Sequence, residues 1–222
     1  MKRVFGRLFL CFGLLLSTFA YGAEDITNTF AVGTYVSKCL PAGTLIDACP
    51  QVVNVPVDPE VKIYGRITVQ LTAAGKKSQW IVGYNEKECL KGNEAFGLQF
   101  EEDMSFDPIA AGDDKTIRKI KLTPGDVFMA IHDAAIVADM DIRRAMGHGW
   151  KSGTYYNITK QARLSGLGTD SSFDLIQLKD DVLYFGENDE DLDGRTAARR
   201  PTSLNRDIPL SLVEEVVQDF KF

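Results

Sequence analysis

The sequence predicts an α+β fold dominated by antiparallel strands, barrel- or sandwich-like, and three features carry that prediction. Apolar residues alternate with polar ones at Ile67, Val69 and Leu71, at Trp80, Val82 and Tyr84, and at Phe96, Leu98 and Phe100. Gly-containing and charged turns separate these runs at the spacing of consecutive antiparallel strands. One Ala-rich stretch, 124–146, breaks the period of two and repeats at helical spacing.

Taken in order, residues 1–22 read as a secretory signal peptide. Lys2, Arg3 and Arg7 form a basic start, Leu8 to Leu16 an uncharged apolar run, and Ala20 and Gly22 the small residues of a cleavage site. The run falls short of the roughly 20 apolar residues that span a bilayer. Cleavage leaves one domain, 23–222, secreted or periplasmic, with no transmembrane segment. It also removes three cations and no acids, taking the net charge from −6 to about −9. That balance argues against nucleic acid and anionic lipid as partners, since both call for a Lys/Arg excess.

Three cysteines remain after cleavage: Cys39, Cys49 and Cys89. In an oxidising compartment two of them pair and one is left over. Cys39 with Cys49 closes a small loop around Pro41 and Gly43, whereas Cys39 with Cys89 joins distant strands. The residues alone leave both pairings open.

Val32 to Val36 makes a first strand. Pro41 to Pro59 is punctuated by Pro and Gly and reads as a loop with at most a brief strand at Val52–Val53. Ile63 to Leu71 is a strand, AAGKK (73–77) a turn, and further strands run through Trp80–Tyr84 and Phe96–Phe100. Thr123-Pro124-Gly125-Asp126 then has the form of a helix start, with Thr as N-cap, Pro at N1 and an acid at N3. Phe128, Ile131, Ala135, Ala138 and Ile142 continue it at helical spacing, predicting one substantial helix over 124–146. Beyond Trp150 the chain returns to strands at Thr154–Ile158, Phe173–Leu178 and Val182–Phe185, the last two joined by Lys179-Asp180-Asp181. The apolar tail 210–222 docks as a strand or a short helix.

The sharpest chemical motif is Asp189-Glu190-Asp191-Leu192-Asp193-Gly194, which matches the first half of a calcium loop. Alternate carboxylates of Asp189, Asp191 and Asp193 converge on one cation, and Arg195 offers its backbone oxygen. The twelfth position of an EF-hand loop, where a bidentate Glu belongs, is Arg200. A strand rather than a helix precedes the loop, so a calcium site here is not an EF-hand. The alternative is a solvated acidic turn facing Arg195, Arg199 and Arg200. The adjacent pair Arg199-Arg200 balances those acids or grips an anion.

His132-Asp133 and Asp139-x-Asp141 fall within the expected helix, where neighbouring side chains diverge. His148 stands between two glycines. No G-x-S-x-G, H-E-x-x-H or P-loop occurs. A glycosidase-like pair of carboxylates drawn from the 31 acids is compatible with the composition. Aromatic residues (Tyr35, Trp80, Tyr84, Phe100, Trp150 and Phe185 among them) either fill a core or line a cavity.

Two short motifs, Gly33-Thr34-Tyr35-Val36-Ser37-Lys38-Cys39 and Tyr84-Asn85-Glu86-Lys87-Glu88-Cys89, resemble the opening pattern of small secreted lipocalin-like β-barrel proteins of Gram-negative bacteria. Leu183-Tyr184-Phe185-Gly186 and Arg200-Pro201-Thr202-Ser203-Leu204 are similar to the C-terminal signature of that group. The resemblance implies a barrel and a Cys39–Cys89 disulfide with Cys49 left over. It brings no catalytic residues, and a 124–146 helix is foreign to a standard lipocalin. The sequence thus predicts a secreted or periplasmic non-enzymatic binding protein, stabilised by calcium if the acidic loop is a site. The alternatives are an envelope-polymer hydrolase using paired carboxylates and a carrier of a small apolar ligand.

Overall fold

The computed structural model describes residues 32–41, 44, 64–110, 112–134, 137, 149–164, 170–189 and 191–214. Among the described residues ten strands follow in chain order: β1 (Gly33–Ser37), β2 (Leu40–Pro41), β3 (Tyr64–Leu71), β4 (Lys76–Tyr84), β5 (Glu94–Phe106), β6 (Ile117–Ile131), β7 (Tyr156–Asn157), β8 (Ser172–Lys179), β9 (Val182–Phe185) and β10 (Leu210–Val213). A short helix, α1 (Thr159–Leu164), follows β7, and a 3-10 turn covers Ala197–Arg199. The order β1-β10-β9-β8-β6-β5-β4-β3 is antiparallel throughout, and β1 pairs with β3. Eight strands therefore close into a barrel, which leaves those strands without a free edge.

Strand alternation assigns the two faces. Ile67, Val69 and Leu71 of β3 stand opposite Ile81, Gln79 and Lys77 of β4, and these oppose Leu98, Phe100 and Glu102 of β5. This set points into the barrel, where Tyr35, Ile120, Leu122, Val127, Ile176 and Leu183 complete the main core. Trp80, Val82 and Tyr84 point outward. Val82 and Tyr84 form a second, smaller cluster with Cys89, against which Cys39 and Tyr64 pack.

The expected helix over 124–146 is not what its first third forms. Residues 124–131 are the end of β6, a 15-residue strand. The Thr-Pro-Gly-Asp segment is a β-bulge. Phe100 pairs with Val127 and Glu102 with Pro124, so β6 carries one residue more than β5 across this step. Gly125 is needed there, because a Cβ would stand 2.8 Å from the Glu101 carbonyl oxygen. The extra residue switches the inward positions of β6 from even numbers (Ile120, Leu122) to odd ones (Val127, Met129, Ile131). That switch interrupts the period of two and mimics a helical start. His132 and Asp133 therefore lie just past a strand end, and both amides donate to the Ala95 carbonyl.

The strands expected at Phe173–Leu178 and Val182–Phe185 are present as β8 and β9, joined by a two-residue turn. Asp180 and Asp181 both take positive φ (52° and 60°), as a type I′ hairpin requires. The expected strand Thr154–Ile158 is only Tyr156–Asn157, and part of the tail docks as β10 beside β1 and β9. The signal peptide, Cys49, the Val52–Val53 strand, Asp139, Asp141, His148, the later part of the expected helix and the tail beyond 214 lie outside the described residues.

Candidate functional site

Lys77 is the most unusual charged residue of the barrel, being 4% exposed on an inward position of β4. It stands directly across from Glu102 of β5, and its Nζ lies 2.5 Å from Glu102 Oε2 and 2.7 Å from Gln79 Oε1. The side chain reaches across the lumen, for Nζ also sits 5.4 Å from the ring centroid of Phe185. Phe185 belongs to β9, separated from β4 by three strands on one side and so on the opposite wall.

Asp174 faces this group from β8, the neighbour of β9. It occupies an inward position opposite Ile120 and two residues before Ile176. Its Oδ1 accepts the backbone N–H of Leu175 at 2.7 Å and of Gly186 at 2.9 Å. Gly186 permits this approach, since a Cβ there would come 2.3 Å from Oδ1. Burial pushes the Asp174 carboxyl up to about 6, against the pull of the two amides and of Lys77; the Glu102 charge adds to the rise. Two carboxyl groups and one ammonium thus share a largely apolar lumen.

None of these three residues is flagged by a motif. The available signal is positional: Asp174, Ile176 and Leu178 alternate as one strand face, which places an acid among apolar neighbours. Lys77 reads as part of a turn because AAGKK is rich in turn formers, yet the turn ends at Gly75 and β4 begins at Lys76.

The acidic loop is ordered by its own chain. Asp189 Oδ1 accepts the amides of Asp191 and Leu192, at 2.8 and 2.6 Å. Asp193 Oδ1 accepts the Arg195 amide, and its Oδ2 lies 3.3 Å from Arg195 Nε and 3.1 Å from Arg199 Nη2. Arg199 Nε donates to the Asp191 carbonyl. Gly194, at φ 70°, brings its carbonyl to the Phe173 amide and fastens the loop to β8. Among the described residues no three His, Cys, Asp or Glu side chains are grouped so as to hold a metal ion.

The arginine pair divides its work. Arg199 serves the acidic loop, while Arg200 pairs with Asp107 at 2.7 Å, donates to the Ile120 carbonyl and lies over the Phe173 ring. Cys39 and Cys89 form a disulfide, with Cα atoms 5.7 Å apart, tying the β1–β2 connection to the β4–β5 loop. Aromatic residues split between the faces. Tyr35 and Phe100 fill the lumen, whereas Trp80, Tyr84 and Phe173 sit on outward positions. Tyr155 closes over Gly97 on the outside, and burial first, then the nearby Tyr84 and Glu94, raise its hydroxyl to about 12.

Among the described residues no helix is long and apolar enough to cross a membrane. No protein-family model matches the chain, and no curated protein matches it either.

Proposed function

We propose that this chain is a secreted or periplasmic binding protein without enzymatic activity, in which the barrel is a scaffold and the outer surface meets the partner. One observation supports this above others: the inward side chains of all eight barrel strands interlock. Tyr35, Leu71, Ile120, Ile131, Ile176 and Leu183 are each no more than 2% exposed and belong to one contact cluster. A carrier barrel instead keeps its lumen open for ligand. The test is titration with a fluorescent long-chain fatty acid. Scaffold use predicts no saturable one-to-one uptake, and such uptake would favour the carrier.

Asp174 and Glu102 give a second reading its footing, hydrolysis of an envelope polymer by paired carboxylates, since one of the two has a raised value. Release of soluble fragments from peptidoglycan, lost in Asp174→Asn, would favour that reading over ours.

Calcium belongs to the same proposal. Asp189, Asp191 and Asp193 with the Arg195 carbonyl supply the donors, and an entering cation displaces the guanidinium groups now on Asp193. Millimolar calcium is expected to raise the melting temperature, and Asp191→Ala to abolish the rise. An equal rise with magnesium would dismiss a calcium site.

A further inference from the structure

We propose that the lumen cluster is a self-modification site, at which Lys77 Nζ and the Asp174 carboxyl condense to an isopeptide bond with Glu102 as the base. The link ties β4 to β8 across the barrel and goes beyond any partner-binding role.

Four features of the geometry converge on this chemistry. The nucleophile and base are in hydrogen-bond contact, Lys77 Nζ to Glu102 Oε2 at 2.5 Å. The electrophile is cradled, since two backbone amides converge on Asp174 Oδ1, where negative charge develops in a tetrahedral intermediate. Gly186 makes that cradle sterically open. The amine is shielded from water, with the Lys77 and Glu102 side chains only 5% and 12% exposed and the Phe185 ring beside Nζ. Separately, the high value of the Asp174 carboxyl keeps part of it in the protonated, electrophilic form near neutral pH. Nζ is paired with Glu102 and lies 5.4 Å from the centroid of Phe185, whose neighbour Gly186 donates to Asp174 Oδ1. The step therefore requires Nζ to leave Glu102 and turn toward Asp174.

The step balances. Glu102 takes one proton from the Lys77 ammonium, and the freed lone pair attacks Cγ of Asp174. The carbonyl pair moves onto Oδ1, held by the Leu175 and Gly186 amides. Glu102 then returns its proton to the Oδ2 hydroxyl, the Cγ–Oδ2 bond breaks, and water leaves as the Oδ1 pair re-forms the carbonyl. The nitrogen gives up its remaining excess proton to Glu102, which passes it to solvent. An ammonium and a carboxylic acid become one amide, one water and one proton.

The driving force is physical as well as chemical. A buried ion pair carries a desolvation penalty that its mutual attraction only partly offsets. Holding amine and acid in one lumen replaces an encounter in solution with effective molarities that reach about 10⁵ M or more in well-oriented systems. The neutral amide takes the Lys77 ammonium out of the lumen, and of the original ion pair the Glu102 carboxylate remains.

The experiment is intact mass of the purified, folded protein after incubation near pH 6, followed by proteolytic mapping. The expected mass is one water below that of the sequence, with the Lys77 peptide joined to the Asp174 peptide. Asp174→Ala is expected at full mass. Asp174→Asn is expected to lose ammonia instead of water and so reach the same linked mass as the parent. Glu102→Gln is expected to stay folded and unlinked. A folded parent at full mass overturns the proposal, as does a link between other residues. A linked Glu102→Gln protein overturns the role given to Glu102.

Discussion

Reducing the Cys39–Cys89 bond removes a constraint whose size follows from the chain itself. The bond closes a loop spanning 50 residues in sequence. In the chain-entropy account, cross-linking about 50 residues withdraws about 14 cal/mol/K from the unfolded ensemble, or about 4 kcal/mol at 25 °C. The folded side of the balance changes less, because β1 is held by β3 and β10 independently of the bridge. The assay is guanidinium unfolding of a Cys49→Ser variant, with and without reductant, so that no third thiol reshuffles the pair. With a slope of about 4 kcal/mol per molar, the midpoint falls by about 1 M on reduction. Thiol titration of the unfolded, unreduced mature protein carrying Cys49 finds one free thiol. A midpoint that does not move on reduction would refute the loop argument. A change confined to the slope would do the same, since it would report altered compactness rather than a lost constraint.

Two further predictions concern single residues. In Glu102→Gln, where Asp174 stays a free carboxyl, its folded value lies above its ordinary 3.8. Burial still raises the value, though without the Glu102 charge it lies below the parent's, so the folded state holds the proton more tightly than the unfolded one. Stability is greatest below about pH 4 and is lost as pH rises through the folded value. The loss, read by urea unfolding, is smaller than the roughly 3 kcal/mol that the parent's shift would give, and Asp174→Asn in the same background flattens the profile; a flat profile without the second change would contradict the assignment. In the β8–β9 turn, Asp181→Gly relieves a non-glycine residue at φ 60°. It is expected to stabilise by up to about 1 kcal/mol, read as a rise in melting temperature, whereas a fall would show that the Asp181 side chain contributes more than its backbone strain removes.

The barrel was legible where alternation is unbroken, as in β3, β4 and the first half of β5, because a period of two follows directly from the pleat. It was illegible in β6, where the bulge at Gly125–Asp126 shifts the inward set by one residue and Thr-Pro-Gly-Asp imitates a helix cap. Local propensity and tertiary pairing gave opposite answers there, and pairing with β5 prevailed. The hairpin at Asp180-Asp181 was visible as a charged turn, though its left-handed backbone was not. The lumen cluster escaped because each member is ordinary in isolation. Lys77 sits next to an exposed lysine, Lys76, and Glu102 follows another acid, Glu101. Only closure of the barrel sends Lys77, Glu102 and Asp174 inward together. The acidic loop was plain as a motif, but the turns made by Asp189 and the arginine contacts of Asp193 depend on Arg199 folding back over it.

The central claim is that the lumen is filled and the barrel serves as a scaffold. Its most direct test is calorimetric titration of the parent protein and of Phe100→Ala with a small apolar molecule such as benzene. Phe100 lies in the main core at 8% exposure, and its truncation opens an apolar cavity at a stability loss of about 3–5 kcal/mol. Such dry cavities take up small apolar molecules. Saturable binding is expected of Phe100→Ala and none of the parent; one-to-one binding by the parent protein would contradict a filled lumen.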